Sequence, residues 1–351
     1  MPDLTSFTGP GLERLARALA ERRPVRAALP RSTLHIKLLE DNDASVDLCL
    51  IRDDHMLGPA VAAFGDAVVH LGRETRIGGG NLNLPAIRGA NRCYYRNLAS
   101  LIDAIRFERL IIFLATEPLE EFIVPRLPPA AVEIWEEGLM HYVDMEGTVF
   151  RVRRRLVQKL CGFHVRRLSG TSLDRGAYPL RDRFREGSLR LHRPLRAQAP
   201  REEILYLGQP LVGDGMIDLR SYAAGLGALA RALPAPLRYL PHPRESADAV
   251  EALRAAVGPG GLTVETDRRG VIEHCADWSY VAYLSPFSTA LLDLGETGRS
   301  FWVAGLVGLK ARGKRLRGFR DSPVAMPEAL DELAAALSRL APAAAARPHR
   351  P

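Results

Sequence analysis

The stretch Arg238-Tyr-Leu-Pro-His-Pro-Arg-Glu-Ser246 gives the clearest indication of the fold. The apolar run Leu237 to Leu240 is typical of a buried strand, and residues 247–257 carry Ala and Leu at the three- and four-residue spacing of a helix. His242 therefore lies where a strand ends and before a helix begins, which is where open α/β sheets bind ligands. The flanking prolines, including Pro243, restrict the backbone and orient the imidazole. Alternatively, His242 is a structural loop histidine.

The same alternation extends along the chain in both directions and favours parallel sheets. An arginine-rich stretch, 141–200, interrupts it and is interpreted as a long helix followed by an irregular crossover. We therefore predict one domain over 1–195, a second over 196–340, and a disordered Ala/Pro/Arg-rich tail over 341–351. Strands are predicted at 24–29, 45–51, 67–71, 109–116, 130–135, 203–208, 237–240, 261–265, 278–284 and 301–309, and the main helices at 34–40, 60–64, 94–105, 219–232, 247–257 and 327–340.

Two adjacent carboxylates follow another predicted strand. Glu136 and Glu137 come directly after Trp135, and Gly138 permits a tight turn behind them. A pair of acids at a strand end is a candidate general base. The alternative is an acidic turn that is simply solvated.

A hydroxyl-rich loop follows the predicted strand 279–284. In Ser285-Pro-Phe-Ser288-Thr289, either Ser288 or Thr289 precedes a helical run and is placed to cap it. The free amides at a helix start also bind anions. The motif therefore indicates either plain capping or a phosphate site.

Composition sets further bounds on the class of protein. The chain has 351 residues, of which 47% are hydrophobic and 25% charged, as expected of a globular protein. Its four cysteines are scattered without a Cys-x-x-Cys pair, which excludes a typical zinc site and favours a reduced, cytoplasmic location. No stretch has the length and apolarity of a membrane span, and the N-terminus lacks the pattern of a signal peptide. No Asp-x-Asp cluster at a strand end suggests a metal site.

The charge balance is basic, with 48 Lys and Arg against 41 Asp and Glu, a formal net charge of +7. Much of the excess lies in 151–155, 166–167 and 310–320. Such runs suit an anionic membrane surface or an anionic sugar, or are simply a solvated face. They lack the interleaved aromatic residues that stack on bases, so no nucleic-acid partner is expected.

The order of the three motifs, Glu136-Glu137-Gly138, then His242-Pro243, then Ser288-Thr289, resembles that of the bacterial sialyltransferases, in particular glycosyltransferase family 52 and the polysialyltransferases. Those families carry an acidic-acidic-Gly motif, a His-Pro motif and a Ser-Ser/Thr motif in this sequence. Further similarities are Gln209 in the run 206–211, Glu273 between the second and third motifs, and Ser285 at the start of the third. The resemblance covers about residues 100–300 and is weakest at the N-terminus.

This resemblance implies an α/β protein of the GT-B type, with two Rossmann-type parallel-sheet domains that face a central cleft. It implies an inverting, metal-independent sialyltransferase that needs no cofactor and moves sialic acid from the donor substrate CMP-sialic acid to a glycan acceptor. The acceptor would belong to bacterial surface polysaccharide or lipooligosaccharide. The enzyme would work in the cytoplasm, with peripheral contact at the inner face of the cell membrane through 310–320.

The resemblance also implies roles for the motif residues. Glu136 would be the general base, with Glu137 the second choice. His242 would hold or protonate the CMP phosphate, which Ser288 and Thr289 would also bind. Glu273 would contact the cytidine ribose.

Three other functions fit the same sequence. A GT-B enzyme could use another donor, such as a CMP-linked keto-deoxy sugar or a UDP-sugar. A sugar-nucleotide epimerase would share the architecture. A non-catalytic protein that binds a glycan or a nucleotide sugar is the alternative outside enzymes.

Overall fold

The computed structural model describes residues 2–77, 83–145, 147–169, 173, 175–192, 199–266, 270–294 and 298–340. The chain divides into two compact units. The first contains 1–137 and 146–191, and the second contains 138–145 and 192–351. The short segment 138–145 thus belongs to the second unit, a feature that the sequence did not indicate. The predicted disordered tail, 341–351, lies outside the described residues.

A parallel sheet of six strands forms the centre of the first unit, in the order β3-β2-β1-β4-β5-β6. This is the strand order of the Rossmann fold, and it places a crevice between the carboxyl ends of β1 and β4. The strands are β1 Val25–Leu29, β2 Leu48–Ile51, β3 Val68–His70, β4 Phe107–Ile112, β5 Val132–Trp135 and β6 Leu180–Arg181.

Both faces of this sheet are covered, as parallel sheets require. In β4, Leu110 and Ile112 pack into one apolar cluster, while Ile111 and the following Phe113 pack into another. Trp135, at the end of β5, joins the second cluster. The core therefore lies on both sides of the strands, and their carboxyl ends are left to carry the functional loops.

Helices connect these strands. The hydroxyl of Ser32 accepts a bond from the His35 amide at 3.4 Å and caps the helix predicted at 34–40. The helix predicted at 94–105 begins earlier, because Asn83 caps it and accepts from the Ala86 amide at 3.1 Å. Pro85 and Gly89 in its first turns weaken the helical pattern and hid this start from the sequence. The helices of this unit are α1 Leu12–Glu21, α2 Thr33–Asp41, α3 Leu57–Phe64, α4 Leu84–Ala104, α5 Pro118–Ile123 and, after α6 Leu139–Tyr142 of the second unit, α7 Thr148–Leu160.

The second unit contains a five-stranded parallel sheet in the order β11-β10-β7-β8-β9. Here the order reverses between β7 and β10, so the crevice lies at the carboxyl ends of those two strands. The strands are β7 Ala199–Leu207, β8 Leu237–Leu240, β9 Thr263–Val264, β10 Trp278–Ser285 and β11 Ser300–Trp302, and the helices are α8 Leu219–Ala232, α9 Ala247–Val257, α10 Val271–Asp277, α11 Ala290–Leu294, α12 Lys310–Leu316 and α13 Leu330–Leu340.

One predicted strand is much shorter than expected. The apolar run 301–309 pairs with β10 only as far as Trp302. Its remaining apolar residues, such as Val303 and Val307, are buried in turns instead. Val307 lies against Gly225 of α8, where an added Cβ would come within 2.9 Å of the Val307 Cα. Burial of a turn and burial of a strand give the same apolar pattern, so the sequence did not separate them.

Two doubly wound parallel sheets in one chain confirm the predicted α/β fold class with two Rossmann-type domains. In the described part of the chain, no helix is long and apolar enough to cross a membrane.

Candidate active site

Three loops meet at the carboxyl edge of the second sheet. They follow β7, β8 and β10, three adjacent strands, and they carry Gln209, His242 and Ser288. The hydroxyl of Ser285, at the end of β10, donates to the Leu207 carbonyl at the end of β7 across 3.0 Å. The motifs that were predicted at strand ends in the second half of the chain therefore occupy one crevice.

A carboxylate holds the His242 loop in place. Glu245 accepts from the Tyr239 hydroxyl and from the His242 backbone amide, each at 2.7 Å. Gly208 is needed for this contact, because an added Cβ there would lie 2.6 Å from both the Tyr239 hydroxyl and a Glu245 oxygen. Glu245 belongs to the extended His-Pro stretch of the sequence, and it positions the histidine.

The His242 ring has a defined tautomer. The Arg244 amide donates to Nδ1 at 3.1 Å, so the neutral ring carries its proton on Nε2. Burial lowers the pKa of His242, and the Arg244 charge lowers it further, while Asp214 opposes both. The sequence suggested a histidine able to carry charge near neutral pH. In the unliganded protein we instead expect a neutral ring with Nε2 as its hydrogen-bond donor.

The hydroxyl motif divides into a structural and an accessible part. Ser285 is fully buried and also accepts from the Ser288 amide at 3.2 Å, so it shapes the loop. Ser288 is half-buried and accepts from the Ala290 amide at 3.2 Å, which caps α11. Because α11 has only five residues, its dipole is short, and any anion binding rests on the hydroxyls. A capping hydroxyl still has its own hydrogen to donate.

The last residue of the acidic motif contacts the hydroxyl motif within the second unit. Gly138 has φ +95°, and a Cβ on it would lie 2.4 Å from Cγ2 of Thr289. The Leu139 amide donates to the Thr289 hydroxyl at 3.4 Å. Glycine at this position is therefore required both by the backbone and by the neighbouring threonine.

Replacing Gly138 with Ala is expected to lower the free energy of unfolding by about 2 to 4 kcal/mol, because steric overlap adds to left-handed strain. Gly215→Ala is the matched control, because Gly215 has φ +64° with nothing within 4 Å, and it should lose only about 1 kcal/mol. Adding Thr289→Ser, which removes Cγ2, should restore part of the loss. Urea unfolding measures all three, and equal losses at the two glycines would contradict the close contact.

The two acids of the first unit lie in different environments. Glu136 is fully buried, and its carboxylate accepts from Nη2 of Arg183 at 2.5 Å and from Nε at 2.9 Å. The side chain of Arg183 is 7% exposed, so this is a closed, bidentate ion pair. A carboxylate that is fully buried and held in this way is closed to a substrate hydroxyl. Glu137 is half-buried and therefore more accessible than Glu136.

A core histidine fixes the backbone at Glu137. His35 stacks on Phe113 with ring centroids 4.0 Å apart, and its Nδ1 accepts from the Arg31 amide at 3.0 Å. Its ring is also bonded to the Glu137 backbone. Burial and the Arg31 charge lower the pKa of His35 to about 3, so it is a neutral, structural donor.

The remaining predicted residues are Gln209, Pro243 and Glu273. Gln209 is half-buried, and its amide donates to the Gly208 carbonyl at 2.8 Å. Pro243 is exposed beside His242. Glu273 is exposed on α10, which precedes β10. Their roles stay predictions.

Sequence reasoning did not predict the positioning roles of three residues, namely Arg183, His35 and Glu245. Glu245 follows His242 by three residues, a spacing that suits a contact with its amide, and could have been found. His35 lies within an apolar helix, and Arg183 is 47 positions from Glu136, so neither carried a local signal. The described residues contain no group of three or more His, Cys, Asp or Glu side chains able to hold a metal ion.

No protein-family model and no curated protein matches this sequence. Among solved structures, the fold is similar to a UDP-GlcNAc 2-epimerase from Neisseria meningitidis, with 10% identity, a TM-score of 0.47, and coverage of 90% of this chain and 91% of the other. It is also similar to a putative UDP-N-acetylglucosamine 2-epimerase from Listeria monocytogenes, with 8% identity, a TM-score of 0.48, and coverage of 90% and 94%. MurG from Acinetobacter baumannii aligns with 12% identity, a TM-score of 0.40, and coverage of 90% and 91%. Likeness at this level does not assign the chain to the family of any of these proteins.

Proposed function

We propose that this chain is an inverting, metal-independent glycosyltransferase that moves sialic acid from CMP-sialic acid to a glycan acceptor in the synthesis of bacterial surface polysaccharide or lipooligosaccharide. The observation that carries the proposal is the convergence of three loops at the second-sheet crevice. There, His242 presents Nε2–H from a loop that follows β8 and is fixed by Glu245, and Ser288 follows β10, on the other side of β7. Nitrogen and hydroxyl donors at a strand-end crevice suit the phosphate of a nucleotide.

The reaction needs two kinds of protein group. The acceptor hydroxyl attacks the anomeric carbon of the donor sugar as the bond from that carbon to the phosphate oxygen breaks, and CMP leaves with both bonding electrons. His242 Nε2–H and the Ser288 hydroxyl stabilise the charge that develops on the phosphate. Glu137 receives the proton of the acceptor hydroxyl.

The other motif residues have supporting roles. The buried pair of Glu136 and Arg183 holds the acidic loop. Thr289 supplies a second hydroxyl for the phosphate, and Glu273 contacts the cytidine ribose.

A CMP-linked keto-deoxy sugar presents the same leaving group and is the nearest alternative donor. A UDP-sugar donor would place a pyrophosphate in the site. An epimerase would not transfer a sugar to an acceptor. A protein that binds the donor without turnover would be non-catalytic. Release of CMP from CMP-sialic acid in the presence of a glycan panel, with UDP-sugars compared in parallel, separates these possibilities.

Activity is expected to be unchanged in excess EDTA. The leaving group is a monophosphate ester, which lacks the pyrophosphate oxygens that a divalent ion usually bridges. The assay is CMP release before and after chelation, with added Mg²⁺ or Mn²⁺ as the control. Loss of activity that either ion restores would contradict a metal-independent mechanism.

We also propose peripheral attachment to an anionic membrane through the basic run 310–320. Within it, Lys310, Lys314 and Arg320 are exposed. Arg312 instead donates to the Met145 carbonyl at 2.5 Å, and Arg317 pairs with Glu328 at 2.7 Å. Each exposed cation near such a surface contributes about 1 kcal/mol, so three of them give weak, reversible binding.

Co-sedimentation with liposomes tests this attachment. Binding should need anionic lipid, weaken as salt rises, and drop when Lys310, Lys314 and Arg320 are all replaced with Gln. Three exposed arginines elsewhere, Arg14, Arg73 and Arg254, give a control with the same change of charge. Equal binding to neutral liposomes, or equal loss in the control, would rule the attachment site out.

A further inference from the structure

A cavity of about 650 Å³ lies at the carboxyl edge of the first sheet. Arg31 lines it two residues after β1, Arg52 lines it directly after β2, and Glu117 lines it after β4. Residues of α7 form another wall. This is the crevice at which the order of the first sheet reverses, the counterpart of the His242 crevice in the second sheet.

The lining of this cavity is rich in positive charge. Five arginines line it, against two acidic residues, Asp53 and Glu117. A neighbouring cavity of about 700 Å³ shares Arg52, Asp53, Arg76 and Ile77 with it. The five arginines are Arg31, Arg52, Arg76, Arg153 and Arg154.

Two of these arginines are deeply buried and incompletely bonded. The side chains of Arg31 and Arg52 are only 4% and 7% exposed. Within the described residues, Arg31 Nε and Arg52 Nη1 have no hydrogen-bond partner, and their nearest carboxylates are 3.7 Å away in Asp53 and 3.6 Å away in Glu74. Buried donors are rarely left unsatisfied in a native protein, because each lost bond costs free energy.

The neighbours do not fully neutralise this charge. Arg31 Nη1 reaches Glu120 at 3.4 Å, but burial raises the pKa of Glu120 to about 7, so a large fraction of it is protonated near neutral pH. Four carboxylates, Asp53, Glu74, Glu117 and Glu120, pair with arginines of the lining, so its five arginines retain a net positive charge that attracts a ligand anion.

The rest of the cavity suits a sugar ring. Phe150 of α7 is 62% exposed, and it lines the cavity together with Val157 and Ile77. Apolar side chains pack against the C–H faces of a sugar. Gln158 also lines the cavity, and its buried Oε1 has no hydrogen-bond partner among the described residues, so it becomes an acceptor for a sugar hydroxyl once the side chain turns toward the cavity.

We propose that this cavity binds an acidic sugar, with its carboxylate or phosphate on Arg31 and Arg52 and a hydroxyl on Gln158. The inference rests on the proposed function in one respect, since it makes the acceptor of the transferase an acidic glycan rather than a neutral one. The binding itself requires neither donor nor turnover.

Calorimetric titration of the full chain without donor tests the proposal. The probes are a short oligomer of sialic acid, a hexose 6-phosphate, and a neutral oligosaccharide of the same length as the sialic acid oligomer. At least one acidic probe should bind, with an affinity that falls as salt rises, and the neutral probe should bind at least about tenfold more weakly. The two acidic probes distinguish a carboxylate ligand from a phosphate ligand.

Variants locate the site. Arg52→Gln should weaken binding of the acidic probe about tenfold or more, as expected when a charged hydrogen bond is lost. Arg14→Gln removes the same charge at an exposed ion pair with Asp66 and should have no effect. Arg153→Glu, at an exposed position of the lining, should also weaken binding and keeps the test valid if Arg52→Gln fails to fold.

The proposal would be overturned by equal affinity for neutral and acidic probes, by wild-type affinity in Arg153→Glu, or by no binding of any acidic probe at low salt. If an acidic probe binds at this site but no CMP is released from CMP-sialic acid with any acceptor, the proposed transferase activity fails while the binding site stands. Release of CMP with neutral acceptors alone would instead contradict the inference that the acceptor is an acidic glycan.

Discussion

Replacing Glu137 with Gln is expected to lower the rate of CMP release about 100-fold or more, the low end of a general-base contribution, with little change in donor affinity or stability. The amide has nearly the same shape but cannot accept the proton of the acceptor hydroxyl. Glu137 is half-buried at the end of β5, and its backbone is held by His35. The variant therefore removes one chemical step, while the backbone contact with His35 remains.

Glu136→Gln is the matched comparison. This change breaks a buried, bidentate pair and leaves Arg183 without its counter-charge, so the free energy of unfolding should fall by about 3 kcal/mol. In the fraction of the Glu136→Gln variant that remains folded, the rate of CMP release should drop far less than in Glu137→Gln. The outcome that contradicts this assignment is a large loss of rate in Glu136→Gln with normal stability, together with no loss in Glu137→Gln. Glu136 would then be the general base, as the sequence suggested.

The second large effect is expected at His242. Replacing it with Asn should lower the rate of CMP release about 100-fold, the usual loss when one donor to a developing anion is removed. Asn keeps an oxygen near the position of Nδ1, where the Arg244 amide donates, but it has no group at the position of Nε2. The loop should keep its conformation while the phosphate loses its donor.

Two further variants sharpen this test. His242→Gln places an amide nitrogen near the Nε2 position and should recover part of the lost rate. Arg254→Gln, at an exposed pair with Glu251 on α9, is the control and should leave the rate unchanged. Equal activity in the wild type and His242→Asn would remove His242 from the phosphate site.

The strands and helices of the second unit were largely predictable, because each has the period of its own structure. The quoted stretch around His242 fixed β8 and α9 to the residue, since a four-residue apolar run and an Ala/Leu helix with Ser246 as its cap leave little ambiguity. The strand predicted over 301–309 was wrong beyond Trp302 for the opposite reason. Its apolar residues are buried in turns, which have no period to detect.

The candidate site was predictable only where the backbone places residues together. Strand order brings Gln209, His242 and Ser288 to one edge, and their strand-end positions were visible in the sequence. The contact between Glu136 and Arg183 depends on a loop shaped by Asp182, which accepts three backbone amides 2.7–3.0 Å away. Such side-chain pairing between distant loops has no sequence period. Only the structure therefore shows that Glu136 is buried and paired with Arg183 while Glu137 is half-buried.

The titration of His242 in the presence of CMP tests the central claim most directly. Histidine NMR signals, assigned with His242→Asn, report its pKa in the free protein, with cytidine and with CMP. Because a phosphate at Nε2 favours the charged ring, CMP should raise the pKa of His242 above its burial-lowered value in the free protein, and cytidine should not. Binding of CMP that leaves the His242 titration unchanged would contradict the placement of the donor phosphate in this crevice.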